Sequence, residues 1–497
     1  MTASPVAAAT VQFNPETRLF IDGQLRDSST GKTVDNVNPA NEELLGLATD
    51  AGAEDMDEAI AAARRAFDTT DWSTNHDFRQ HCLMQLHDAL QEEKEDIRAE
   101  LIAEVGATVG MTYIAQMEWP LADAIQFPTK LISTFPWERM LAEDAKMGVP
   151  YNRVVVKEPM GVVGAITPWN FPFEIISNKV GQILATGNTI VLKPAMETPW
   201  SALRFGRIIA EKTDIPAGVV NIVPASDNDI AQLLVTDPRV DMVSFTGSTA
   251  VGRLIQRLSA DTMKRNMLEL GGKSVYLVLD DADMNMALPG CLGALMHSGQ
   301  GCALATRMLV PRSHYDQAVE VATATFGALT VGDPSDPNTF CGPLVSAKQR
   351  DRVLNYIEIA KRDGGRVTVG GGIPDGLDRG YFVAPTVVAD VGPDHTIFQE
   401  EVFGPVLSIT PYGGGDDGAV ELANNSTYGL AGAIMGSDAR AMAVARRIRT
   451  GSLMINGAMY YGADAPFGGY KSSGIGRQNG IEGFEQHLQT KTIGYPL

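Results

Sequence analysis

The residue best suited to covalent chemistry is Cys302, in the run SGQGCALATR from Ser298 to Arg307. Glycines stand three and one positions before it and an alanine follows, so the thiol carries little side-chain cover. A thiolate is a strong nucleophile towards carbonyl carbon, but a free thiol of pKa about 8.5 is mostly protonated near neutrality. A nearby base or helix dipoles would raise the ionised fraction. The residue types alone equally allow a buried, inert cysteine. Cys82, Cys291 and Cys341 have no comparable context and are expected in the core. Four scattered cysteines with no CxxC pair make neither a disulfide framework nor a zinc site, and no metal is expected.

Two stretches invite a phosphate reading. GGKS, Gly271 to Ser274, fails as a P-loop because Met267 stands where the motif needs its first glycine. SFTGSTAVG, Ser244 to Gly252, reads as a strand, a turn through Gly247 and Ser248, and a helix. Such a helix start aims free N–H groups and a hydroxyl at a pyrophosphate, although an ordinary strand–helix turn has the same pattern. No GxGxxG follows a predicted strand.

The elements that must hold these residues alternate. MDEAIAAARRAF predicts a helix with Met56, Ile60, Ala63 and Phe67 on one face. From Val154 onward, short apolar runs (VVGAI, TIVLK, VVNIV, DMVSF, SVYLVL) are separated by helical segments. That order predicts a parallel sheet covered on both faces, with nucleotides at the carboxyl ends of its strands. A second alternating region begins near Gly271, so two α/β domains are expected with Cys302 near their cleft. The 497 residues, 44% hydrophobic and 20% charged, are globular in composition. A net charge of −20 argues against nucleic acid and against a polybasic membrane patch. The N-terminus has no basic n-region, and no apolar run approaches the roughly 20 residues of a membrane span. A reducing cytoplasm is the expected setting.

Six motifs then fall in order: PWNFP (168–172), FTGST (245–249), LELGGK (268–273), GQGCALATR (299–307), EEVFGPV (400–406) and PFGGYKSSG (466–474). Together they resemble the aldehyde dehydrogenase superfamily. The resemblance implies an α/β fold: a Rossmann-like nucleotide-binding domain (8–135 and 160–270), a second α/β catalytic domain (271–474), and a small β oligomerisation segment (136–159 and 484–497). It implies oxidation of an aldehyde to a carboxylic acid. Cys302 matches the nucleophile, Glu269 the general base that activates water against a thioester, and Asn170 an oxyanion donor alongside the Cys302 N–H. For the cofactor it implies Ile166, Thr167, Pro168 and Trp169, Lys193 at the adenosine ribose, Gly247 and Ser248 at the pyrophosphate, Leu270, Glu401 at the nicotinamide ribose, and Phe403 beside it. Phe171, Ile175, Tyr461 and Phe467 are the expected pocket walls, suited to a medium-sized apolar or aromatic aldehyde. No arginine or carboxylate is clearly aimed into that pocket, so charged substrates are less favoured, although Asn178 stands where an aromatic is common and would widen or polarise the tunnel. A homodimer or homotetramer is implied.

The sequence also departs from the family. Met196 occupies the place of a glutamate that repels a 2′-phosphate, so NAD is expected and NADP stays open. Ala225 replaces a common glycine. Gln478 replaces a second glutamate. A rival reading is a thiol hydrolase or acyltransferase without redox chemistry. It lacks a histidine placed by motif near Cys302, since His297 reads as helix surface. A second rival is a non-enzymatic binding or structural protein on the same scaffold.

Overall fold

The computed structural model describes residues 14–146 and 148–497. Residues 1–13, which carry most of the reading of the N-terminus, lie outside the described residues.

An eight-stranded sheet runs in the order Gly474–Ile475, Arg265–Glu269, Met242–Thr246, Val162–Ile166, Thr189–Lys193, Val220–Ile222, Leu19–Ile21, Gln24–Arg26. The five strands from Arg265–Glu269 to Val220–Ile222 are parallel. Their near-continuous burial explains the apolar runs: a sheet covered on both faces has no solvent side to alternate towards. A seven-stranded sheet follows: Arg366–Val369, Thr386–Ala389, Val406–Tyr412, Arg307–Pro311, Val275–Val278, Gly432–Met435, Met454–Ile455. Only five residues, 270–274, separate the strand ending at Glu269 from the one beginning at Val275. This crossing passes directly beneath the cysteine loop.

Local packing fixes the turns that matter. Phe245, Ile255, Leu268 and Leu270 cluster with Val235 and Val243. This clamps the helix Thr249–Leu258 against two strands, each buried apolar side chain contributing about 1.5–3 kcal/mol. Ser248 caps that helix, its hydroxyl accepting from the Val251 N–H at 3.3 Å. The helix Ala53–Thr69 buries Met56, Ala59, Ile60 and Ala63. Phe67, expected on the same face, is only half-buried, with the Arg64 guanidinium 4.9 Å above its ring.

A three-stranded sheet stands apart. Leu488–Pro496 pairs antiparallel along its whole length with Tyr151–Pro159, and Glu138–Met140 adds the far edge. Among the described residues, no helix is long and apolar enough to cross a membrane.

Candidate active site

Val162–Ile166 has its successor in the sheet, Thr189–Lys193, on one side and Met242–Thr246 on the other. The strand order therefore reverses here, and the carboxyl ends open a crevice of the kind that takes nucleotides. Ile166, Thr167, Pro168 and Trp169 leave from this point, Lys193 lies in register with Ile166, and Gly247 and Ser248 follow the third strand. The hydroxyls of Thr167 and Thr246 are buried there without partners. Among the described residues the Lys193 ammonium hydrogen-bonds only the Pro194 carbonyl, at 3.1 Å. Burial lowers its pKa, and the charges of Glu197 and Asp50 draw it back. Leu270 is buried in the cluster under the turn. From the other domain, the Phe403 ring meets Trp169 edge-on at 5.4 Å. Glu401 accepts from the Gly272 N–H at 2.9 Å, and a Cβ on Gly271 would stand 2.3 Å from its other oxygen. A bare backbone is what lets this carboxylate lie against the crossing segment. These orphaned hydroxyls, the free helix start and the Glu401 cradle fit a dinucleotide laid from Lys193 to Phe403.

Cys302 follows a 3-10 run, Pro289–Gly299, that kinks at Met296–Ser298. His297 and Ser298 adopt left-handed φ values of 49° and 52°, each costing on the order of 1 kcal/mol or more. Gly299 has φ 75°, and a Cβ there would stand 2.0 Å from the Gly404 carbonyl oxygen. The cysteine loop and the Glu401–Phe403 loop are thereby in backbone contact. Gln300 anchors the loop further, its side chain accepting from the Val345 N–H at 3.0 Å. Cys302 is half-buried, unlike the other three cysteines, and its backbone N–H has no partner among the described residues. Asn170, 4% exposed, donates one amide hydrogen to the Gln300 carbonyl at 2.9 Å. An amide nitrogen carries two hydrogens, so a second donor remains. Gln116, a residue the sequence did not single out, holds the Asn170 carbonyl at 2.7 Å.

Glu269, at the end of its strand, is 3% exposed, its Oε1 is buried with no hydrogen-bond partner among the described residues, and it lies close enough to the Cys302 thiol for each to shift the other's pKa. Burial pushes its pKa up to about 8, with the Lys179 charge pulling it back. The thiol is driven well above its usual range by burial and then by the charges of Glu269, Glu401 and Glu174. The resting sulfur is therefore held protonated, and Glu269 can accept its proton only in the fraction of molecules in which that carboxyl is ionised, a fraction that grows as pH rises through about 8.

The pocket residues gather around this pair. Phe171 caps the buried helix Pro172–Ala185, on which Ile175 is 6% exposed, and Tyr461 meets Phe467 edge-on at 5.6 Å. Tyr460, not anticipated, lies close enough for its pKa to respond to Cys302 and Glu269. Two expectations are corrected. His297 is not helix surface: it is 2% exposed at the kink, its ring 5.0 Å from Phe171. Burial holds it neutral, with a pKa lowered to about 4, and it is not among the charges acting on the thiol. The pocket also contains a carboxylate. Glu174 is buried and accepts from the Asn178 amide at 2.6 Å and from the Tyr461 hydroxyl. Lys179, on the same helix, donates to the Ser244 hydroxyl at 2.8 Å and sits within the fields of Glu174 and Glu269. The signal for these residues was polar side chains at 174, 178, 179 and 182 in a helix otherwise apolar enough to be wholly buried.

The family model for the aldehyde dehydrogenase family matches residues 25–493. The chain belongs to the aldehyde dehydrogenase family. Among relatives of this aldehyde dehydrogenase, a Pseudomonas sp. 3-succinoylsemialdehyde-pyridine dehydrogenase is 40% identical over 482 residues, covering 96% of this chain and 98% of that one. A Mycobacterium tuberculosis aldehyde dehydrogenase solved with NAD+ superposes with a TM-score of 0.92 at 40% identity, covering 96% and 98% of the two chains. The Staphylococcus aureus betaine aldehyde dehydrogenase, also solved with NAD+, gives 0.93 at 34% identity, covering 97% and 95%.

Proposed function

We propose that this chain oxidises an aldehyde to a carboxylic acid with NAD, using Cys302 as nucleophile and Glu269 as base. The observation that carries this reading is the buried Glu269 carboxyl, its Oε1 unpartnered among the described residues, close enough to the Cys302 thiol for each to shift the other's pKa, beside an unpartnered Cys302 N–H. The thiol proton passes to Glu269, the sulfur–carbon bond forms, and the carbonyl electron pair becomes an oxyanion. The Cys302 N–H and the second Asn170 amide hydrogen donate to that oxyanion. NAD, when bound, supplies the acceptor for the hydride that leaves the tetrahedral carbon. A thioester remains on Cys302. Glu269, having released its first proton, takes one from water; the water oxygen bonds to the acyl carbon, the carbon–sulfur bond breaks, and the acid leaves.

Lys193, Glu401, Phe403 and the turn at Gly247 and Ser248 hold the cofactor, in keeping with the NAD+ found in two similar structures. The aromatic and aliphatic walls suit a medium-sized aldehyde with an apolar or aromatic body, as does the relative named for a pyridine semialdehyde. The three-stranded sheet is the assembly face of a homodimer or homotetramer. A cytoplasmic setting keeps the thiol reduced.

The direct test is growth of NADH absorbance with a panel of aliphatic and aromatic aldehydes; no turnover with any of them overturns the reading. Asn170→Ala is expected to cost about 10²–10³ in kcat, near 3 kcal/mol of transition-state stabilisation, with little change in NAD affinity. Steady-state kinetics beside a cofactor titration checks both. Met196→Glu is expected to raise the preference for NAD over NADP several-fold, by setting a carboxylate against the 2′-phosphate. Equal discrimination by both proteins would refute that role.

A further inference from the structure

We propose that Glu174 is the specificity residue of the aldehyde pocket, selecting substrates that carry a protonated amine or a comparably strong hydrogen-bond donor remote from the carbonyl. This rests on the dehydrogenase reading above. Glu174 is 8% exposed on a helix buried along all 14 of its residues. One carboxylate oxygen, Oε1, accepts from Asn178 at 2.6 Å and from Tyr461, and Asn178 also reaches the Tyr461 hydroxyl at 3.2 Å. The other oxygen, Oε2, receives no hydrogen bond among the described residues. One oxygen is thus fixed by two donors, and the second is held ready in a set direction.

Oε2 is not sealed off among the buried unpartnered atoms, so an incoming donor can reach it and complete the carboxylate. Lys179 does not: its ammonium bonds the Ser244 hydroxyl and acts on Glu174 only through its field. The position of Glu174 is that of a pocket wall. Its donor Tyr461 packs on Phe467, and its charge reaches the Cys302 thiol. Burial raises its pKa to about 7, so a cation arriving beside it would complete its ionisation. Aromatic rings flanking one free carboxylate oxygen suit an ammonium on an apolar or aromatic body.

The test pairs two aldehydes of similar shape. 4-(Dimethylaminomethyl)benzaldehyde carries a protonated amine and cannot condense with itself; 4-isobutylbenzaldehyde is its neutral counterpart. The unmodified enzyme is expected to favour the amine in kcat/KM by about tenfold or more, and Glu174→Gln to bring the ratio close to one. A ratio near one in the unmodified enzyme overturns the assignment. So does a ratio that survives the substitution, including the case where both aldehydes slow equally, which marks Glu174 as serving proton transfer. Oxidation of neither aldehyde overturns the dehydrogenase reading beneath it. Inhibition keeps the question answerable if the variant does not fold: N,N-dimethylbenzylammonium should compete with the neutral aldehyde about tenfold more tightly than isobutylbenzene. Equal inhibition by the two overturns the proposal.

Discussion

A Cys302→Ala variant is expected to lose aldehyde oxidation by about 10⁴-fold or more. Without the sulfur there is no tetrahedral carbon from which a hydride can leave, and no other group near the site replaces it. Cys291 and Cys341 are fully buried elsewhere, and His297 is neutral and turned against Phe171. The variant should still fold, because the loop is held by Gln300 and the Gly299–Gly404 contact and not by the thiol. NADH formation measures the loss, and a shift in melting temperature on adding NAD shows that the cofactor crevice survives. Retention of more than a tenth of the activity would remove Cys302 from the mechanism. Full retention of a thioester-hydrolysing activity without any need for NAD would favour the acyltransferase reading instead.

Glu269→Gln separates the two halves of the reaction. Glutamine cannot take a proton, so hydrolysis of the thioester is expected to slow by about 10²–10⁴. It also removes a charge that opposes thiolate formation, which offsets the loss of Glu269 as acceptor of the thiol proton, so attack on the aldehyde is expected to slow less than hydrolysis. The expected record is a burst of NADH close to one per site followed by a slow steady rate, with the acyl group found on Cys302 by mass spectrometry. In the unmodified enzyme the hydrolytic rate should rise with pH through about 8, as Glu269 loses its proton and becomes a base. That limb should flatten in the variant. A steady rate within threefold of the unmodified enzyme, with no adduct, would relieve Glu269 of its role.

Sequence reading reached the parallel strands because strands buried on both faces read as unbroken apolar runs, as TIVLK and DMVSF do. It missed the two-residue strands Gly474–Ile475 and Met454–Ile455, which are defined by a neighbour's edge rather than by any pattern of their own. The site divided the same way. Cys302, Glu269 and Asn170 sit in motifs with a fixed local spacing. Glu174 has no such motif: a glutamate near a helix start ordinarily faces water and favours the helix dipole. Only the packing of Tyr461 against it, 287 residues later in the chain, turns it inward. His297 was misplaced because helical spacing assumes continuity, and the left-handed kink at Met296–Ser298 breaks it.

The carboxylates that keep the Cys302 thiol protonated have one more consequence. Peroxide attacks the thiolate, and sulfenic acid is the first step towards irreversible sulfinic and sulfonic acids. A sulfur whose ionisation is opposed by burial and by Glu269, Glu401 and Glu174 offers oxidants less thiolate than a free thiol would. The same arrangement that makes the nucleophile wait for its aldehyde gives the idle enzyme a chemical shelf life.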